Sequence, residues 1–233
     1  MLAGRQGGIK MEVRVMKNVL GENDRVAAEN QAMFAAKGVY VLNLMGSPGS
    51  GKTTLLEKTM QKLKDELRMA VIEGDLFTTK DAERIDRYGV PVIQINTAGG
   101  CHLDAPMVQK VAPQLDLDHL DLLVVENVGN LVCPAEFAVG EADKGVVLSI
   151  TEGDDKPMKY PLIFKESAVI VLNKIDILPY CNFDRTAARE DITTLHPGAN
   201  IIEVSCTQGD GLDAWCDWLR QRVAETKAQA QKG

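Results

Sequence analysis

The sequence predicts an α/β fold: a doubly wound, mostly parallel sheet with helices on both faces, in a single domain carrying an N-terminal helical extension. Three observations predict it. Seven short apolar runs recur along the 233 residues, most of them continuous rather than alternating. Amphipathic stretches separate many of these runs. A glycine-rich, lysine-bearing loop lies between the first run and the first amphipathic stretch. Continuous apolar strands suit a parallel sheet covered on both sides, and strand–helix alternation is the pattern of doubly wound folds.

The elements follow in order. Residues 1–11 hold three glycines without apolar periodicity and are expected to fray. Val15, Val19, Val26, Met33 and Phe34 then follow a helical spacing. Gly21 interrupts it, and Asn23 is expected to cap a restart running to Gly38. The strand runs are Val39–Met45, Met69–Ile72, Val90–Ile95, Leu120–Val125, Gly145–Ile150, Ala168–Leu172 and Ile201–Val204. Helices are expected over Lys52–Arg68, Lys80–Tyr88, Leu103–Leu115, Phe183–Leu195 and Leu212–Thr226. From Ala224 onward no large apolar residue remains, so the tail is expected to fray. The domain reading is therefore an extension over 1–38, a nucleotide-binding domain over 39–223 and a tail over 224–233.

Composition limits the function classes. Apolar residues make up 45% and charged residues 25%, ordinary values for a globular chain large enough to bury its own core. The 26 basic and 33 acidic residues leave a net charge of −7, which argues against broad nucleic-acid binding. No secretory signal and no membrane-length apolar run are present. Five cysteines, an odd number, then point to free thiols and a cytoplasmic protein.

In such sheets ligands bind at the carboxyl ends of the strands, so the loops there carry the chemistry. After the first strand comes Gly46-Ser47-Pro48-Gly49-Ser50-Gly51-Lys52-Thr53-Thr54, which fits the phosphate-loop pattern. Glycine curvature turns the amides of Ser47, Gly49, Ser50, Gly51 and Thr54 toward phosphate oxygens, Lys52 neutralises β/γ-phosphate charge, and the Thr53 hydroxyl suits Mg²⁺. The sixth run ends in Asn173-Lys174-Ile175-Asp176, an Asn-Lys-x-Asp motif like that of GTPases. A carboxylate at Asp176 accepts both N1–H and the 2-amino group of guanine, while adenine offers it neither donor. Lys174 lies along the base, Asn173 ties its loop to the phosphate loop, and Ser205-Cys206 sits where GTPases place a loop behind the base. The acidic strand ends Glu73-Gly74-Asp75 and Glu126-Asn127-Val128-Gly129 supply Asp75 and Glu126 as candidates for holding Mg²⁺ or orienting water. Asn130, not Gln, follows Gly129, and no arginine finger is evident, so hydrolysis is expected to be slow.

Cys101-His102 and Cys133 lie in two further loops at the same edge. Two thiols and an imidazole suit Ni²⁺ or Zn²⁺ rather than Mg²⁺. Three ligands fall one short of a closed site, leaving an open position or a ligand from a second subunit, and spacing alone favours small buried cysteines over a metal site. His119 and His196 read as solvated or core residues, and Cys181, Cys206 and Cys216 as structural ones.

From Asn23 to about Trp218 the sequence resembles the HypB family, the GTPases that help insert nickel into hydrogenase. The resemblance rests on Asn43-Leu44-Met45 leading into the phosphate loop, on Glu73-Gly74-Asp75, and on Gly99-Gly100-Cys101-His102-Leu103-Asp104. It rests also on the segment from Glu126 to Pro134, on Thr151 to Pro157, and on Asn173-Lys174-Ile175-Asp176. It implies a GTP-favoured homodimer with interface metal, Cys101, His102 and Cys133 as ligands, Asp75 in a Mg²⁺/switch region, and a HypA-like nickel-delivery partner. It also implies that Lys156 reaches nucleotide or partner across the dimer. Residues 1–38 contain neither Cys nor His, so the N-terminal nickel motifs of some family members are not expected. The related urease-maturing GTPases carry Cys-Pro-His, whereas Ala135 follows Cys133-Pro134 here. A small-molecule kinase lacks the guanine motif, and a non-hydrolysing interaction module requires bound GTP to persist.

Overall fold

The computed structural model describes residues 19–75 and 80–232. Every expected apolar run forms a strand: β1 Tyr40–Gly46, β2 Met69–Asp75, β3 Val92–Asn96, β4 Leu122–Glu126, β5 Asp143–Ser149, β6 Ser167–Asn173 and β7 Asn200–Val204. They make one sheet in the order β3-β2-β4-β1-β5-β6-β7, with every neighbouring pair parallel. The central strands β1 and β4 are buried along their whole length, which is why their sequences do not alternate. Strand order reverses beside β1, whose neighbours are β4 and β5, and this opens a crevice at its carboxyl end.

The helices are α1 Val19–Ala36, α2 Lys52–Leu63, α3 Lys80–Asp86, α4 Ala105–Val111, α5 Cys133–Glu136, α6 Lys156–Lys159, α7 Pro161–Glu166, α8 Arg185–Leu195 and α9 Leu212–Ala230. They cover both faces. Leu55 and Met60 of α2 and Trp215 and Leu219 of α9 pack with Leu42 and Leu44 on one face. Phe34 of α1 and Val108 of α4 pack with Val41 and Ile72 on the other. Phe164 of α7 and Ile192 of α8 cover the β5–β6 end. No helix among the described residues is long and apolar enough to cross a membrane.

Two terminal expectations are corrected. Helix α1 runs through Gly21 without a break, and Asn23 sits inside it rather than capping it. Asn23 is buried; its Nδ2 donates to the Ala138 carbonyl and its Oδ1 accepts from the Ala105 amide, both at 2.9 Å. Tertiary backbone partners thus satisfy the side chain that a cap would have used, and they outweigh the modest helix cost of one glycine. Val15 and the rest of 1–18 lie outside the described residues. At the other end, α9 continues to Ala230 instead of fraying from Ala224. Val223 is buried there, and Lys227 Nζ lies 2.7 Å from the buried Asp121 carboxylate, so an ion pair anchors a turn that lacks large apolar residues. The short helices α5, α6 and α7, each with proline in its first turn, have no counterpart in the sequence reading.

Candidate functional site: a phosphate cleft beside a thiol cluster

The loop from β1 to α2 wraps the head of a cleft of about 480 Å³. Its lining includes Gly49, Gly51, Lys52, Thr53, Thr54, Asp75, Glu126 and Lys174, a volume and polarity suited to a nucleotide's phosphates. Gly51 caps α2 with φ 101°, and a Cβ there would stand 2.3 Å from Asn173 Nδ2, so the position admits only glycine. Lys52 Nζ donates to the carbonyls of Gly46 at 3.2 Å and Ser47 at 3.4 Å. The lysine is buried, and burial lowers its pKa. Its charge is therefore poorly solvated and ready to exchange carbonyl dipoles for phosphate oxygens. The Ser50 side chain is buried, with no hydrogen-bond partner for Oγ among the described residues. The Thr54 hydroxyl accepts from Arg84 Nη2 at 3.0 Å.

Acidic strand ends close the cleft opposite the lysine. Thr53 Oγ1 donates to Glu126 Oε1 at 2.7 Å. Glu126 and Glu73 lie directly across the β2–β4 ladder, and each is buried with no hydrogen-bond partner for its Oε2 among the described residues. Burial pushes Glu126 up to about 7 and Glu73 up to about 8, the nearby carboxylates adding to the rise at Glu73. One oxygen each of Glu73, Asp75 and Asp81 falls within 4.8 Å of the others. Orphaned buried carboxylate oxygens beside a threonine hydroxyl form an all-oxygen donor set that fits Mg²⁺.

The base-side loop is held by its own side chains. Asn173 Nδ2 donates to the Ser50 carbonyl at 2.9 Å, and Lys174 Nζ donates to the Gly49 carbonyl at 2.7 Å. Lys174 itself takes a left-handed φ of 67°, which turns the chain sharply toward Asp176. Ser205 Oγ donates to Asp176 Oδ1 at 2.7 Å and accepts from the Gln208 amide at 3.0 Å. The Ser205 hydroxyl thereby orients the Asp176 carboxylate. Cys206, the other residue read behind the base, instead buries its side chain in the α2–α9 core, and burial pushes its thiol up to about 11.

The loops after β3 and β4 bring together the third group. Cys101 Sγ lies 3.0 Å from Cys133 Sγ and 3.5 Å from His102 Nδ1, and one donor atom of each residue falls within 4.8 Å of the others. The His102 ring stacks on Phe137, with centroids 4.0 Å apart. Burial lowers the His102 pKa, which favours the neutral imidazole that ligates metals. The thiol–thiol hydrogen bond, helped by burial, raises Cys101. Cys101 is solvent-exposed, so the cluster opens outward.

Residues 40–203 match the family described as CobW/HypB/UreG, nucleotide-binding domain. Hydrogenase maturation factor HypB of Escherichia coli K12 is 52% identical over 215 residues, covering 92% of this chain and 73% of that protein. The chain belongs to the HypB family. Crystal structures of HypB from Helicobacter pylori, in complex with nickel, and from Archaeoglobus fulgidus have TM-scores of 0.83 and 0.81 to this chain. Their identities are 39% and 37%; the matches cover 88% and 87% of this chain and 97% and 99% of theirs.

In this HypB-family chain, Lys156 does not line its own phosphate cleft; its ammonium lies 5.5 Å from the centroid of the Tyr160 ring. Sequence reading passed over Asp81 and Arg84, which α3 carries into the cleft wall. Arg84 donates to Glu57, Asp81 and Thr54 and so clamps α3 to α2. The only signal available was their place on the helix after the second acidic strand end. Asn127 and Asn130 carry no side-chain role in the sequence reading beyond Asn130 standing where a glutamine would orient water. Asn130 aims its side chain at the Cys101 loop rather than at the phosphates.

Proposed function

We propose that this chain is a GTP-hydrolysing metallochaperone that binds nickel, and zinc in competition with it, at a GTP-favoured homodimer interface and assists nickel insertion into hydrogenase. One observation carries the reading: three soft-metal donors lie within 4.8 Å of one another on the loop edge that also holds the nucleotide cleft. The nickel complex of the Helicobacter pylori relative supports nickel as cargo.

Asp176, set by Ser205, selects guanine. The phosphates displace Lys52 from the Gly46 and Ser47 carbonyls, and its charge then offsets theirs. Thr53, Asp75 and Glu126 would hold Mg²⁺, which supplies further neutralisation at the β- and γ-phosphate oxygens. Hydrolysis proceeds slowly because no glutamine follows Gly129 to orient water. Cys101, His102 and Cys133 give the cargo ion three ligands, and a second copy of the chain completes its coordination. Val132, Met158 and Tyr180 are large side chains exposed on segments of that edge, which supports its pairing with another copy. Lys156, whose ammonium lies 5.5 Å from the Tyr160 ring centroid in this chain, reaches across such a pair. The reading includes a HypA-like protein as the nickel-exchange partner.

Light scattering and metal analysis of the full chain, with a non-hydrolysable GTP analogue or with GDP, test this reading. The expected result is a dimer with interface nickel in the analogue and less of both with GDP. A monomer without metal in either state would refute it.

A further inference from the structure

Two asparagines leave the end of β4, and each bonds to the loop that carries Cys101 and His102. Asn127 is buried; its Oδ1 accepts the Leu103 amide at 2.9 Å, and its Nδ2 donates to Asn43 Oδ1 at 3.1 Å. It pins the residue after His102 to the sheet. Asn130 reaches the other flank. Its Nδ2 donates to the Cys101 carbonyl at 3.2 Å, and its Oδ1 accepts the Val132 amide, one residue before Cys133, at 2.9 Å. One side chain therefore holds the backbone at both thiols.

The backbone of Asn130 faces the nucleotide side. Its N–H donates to the Gly46 carbonyl at 3.1 Å, an isolated antiparallel bridge between the thiol loop and the first residue of the phosphate loop. That same carbonyl accepts Lys52 Nζ. Little slack lies between: a Cβ on Gly129 would fall 2.9 Å from Pro48 Cγ and Pro48 N, so the two loops touch. When phosphates draw Lys52 away, the carbonyl that anchors Asn130 loses a bonded cation. The change then has a short covalent and hydrogen-bonded route to both sulfurs. Asn130 does not line the phosphate cleft, so its side chain is not spent on the nucleotide.

We propose that Asn130 is a positioning residue that sets the Cys101–Cys133 geometry according to what occupies the phosphate loop, making nickel affinity depend on the bound nucleotide. The inference rests on the metal reading given above.

Asn130→Asp tests it. The variant keeps the size, the backbone bond to Gly46 and the acceptor for Val132; it replaces the donor to Cys101 with a charged oxygen, and the uncharged Asn130→Ala controls for that charge. Asn130→Ala removes both side-chain bonds. Ni²⁺ alone is titrated into the full chain under excess Mg²⁺, with a non-hydrolysable GTP analogue or with GDP. Thiolate-to-nickel charge-transfer absorbance reports metal, and calorimetry reports nucleotide. In the parent, the two nucleotides are expected to separate nickel affinity by roughly 5-fold or more. In both variants that ratio falls to within about twofold of unity while nucleotide affinity stays within about twofold of the parent. A coupled parent with an unchanged ratio in Asn130→Asp overturns the assignment, as does loss of nucleotide binding in that variant. A parent that binds nickel equally in both states removes the coupling and this role but leaves the ligands standing. A parent that binds none overturns the metal reading and the inference together.

Discussion

The base-side loop and the thiol cluster occupy the same edge of one sheet, yet they are built oppositely. Asn173, Lys174 and Asp176 come from one short segment, and each of Asn173, Lys174 and Asp176 bonds to a neighbouring loop. Cys101, His102 and Cys133 come from two segments about thirty residues apart; their donor atoms contact one another, and the His102 ring stacks on Phe137. The first site is organised before its ligand arrives, which suits a specific base. The second is half-buried, opens outward at Cys101 and offers three donors, one fewer than a closed tetrahedral site, which suits an exchangeable ion.

The largest effect separates the cleft from both. Lys52→Ala is expected to cut hydrolysis by at least about 10³-fold, because positioning and charge neutralisation supply nearly all phosphoryl-transfer catalysis. Phosphate release measured in single turnover checks this; turnover at the parent rate would place the chemistry elsewhere.

Cys133→Ala is expected to weaken nickel binding by on the order of 10²-fold, since two donors do not hold a stable site. GTP affinity should stay unchanged, because Cys133 touches neither phosphate nor base contacts. Asp176→Asn inverts the pattern: GTP binding weakens by roughly 1–3 kcal/mol with a guanine donor left unpaired, while metal content at saturating nucleotide is retained. Metal analysis and calorimetry on the two variants form a crossed design. If either change damaged both ligands equally, the two sites would not be separable.

Contiguity explains what was legible in the sequence. The seven strands, the phosphate loop and the Asn173–Asp176 segment are coded by residues next to one another, so pattern and spacing locate them. The place of the Ser205 loop after the last strand is equally local, but its hydrogen bond to Asp176 joins residues 29 apart and is not. A loop position says nothing of which way a side chain turns, and the Cys206 side chain is buried against the core. Asn23 resembled a cap, but its partners at Ala105 and Ala138 are far along the chain. The same distance hides the Asn130–Cys101 bond and the Arg84 clamp. The tail was misjudged because Lys227 reaches Asp121, a long-range ion pair that carries no apolar signal.

A pH experiment sharpens the contrast between the buried acids of the cleft and the loops on either side of it. Glu126 at about 7 and Glu73 at about 8 hold protons in the nucleotide-free fold that an unfolded chain, with its ordinary value of 4.5, gives up. Their raised values favour the folded state fully below 4.5, and that contribution is lost as pH rises through 7 and 8. Cation binding needs the anions, so Mg²⁺-dependent GTP affinity should rise over the same window, by about tenfold per pH unit for each proton released. Melting temperatures at pH 6 and 8.5, with and without Mg²⁺ and GTP analogue, should show a gap that widens with pH. A constant gap would mean that these carboxyls do not face the bound ion.

The smallest effect probes how far organisation of the base side matters. Ser205→Ala removes the hydroxyl that donates to Asp176 Oδ1 and accepts from the Gln208 amide. The guanine acceptor itself remains, so the loss is one of orientation. A single side-chain hydrogen bond at a half-buried position is worth roughly 0.5–1.5 kcal/mol, which corresponds to a few-fold weaker GTP binding. If the hydroxyl acts only through the carboxylate, Ser205→Ala should cost almost nothing once Asp176→Asn is present. A double-mutant cycle by calorimetry measures that coupling. Additive losses would assign Ser205 a contact of its own with the nucleotide, and the base side would then be less completely set by its internal bonds than its geometry indicates.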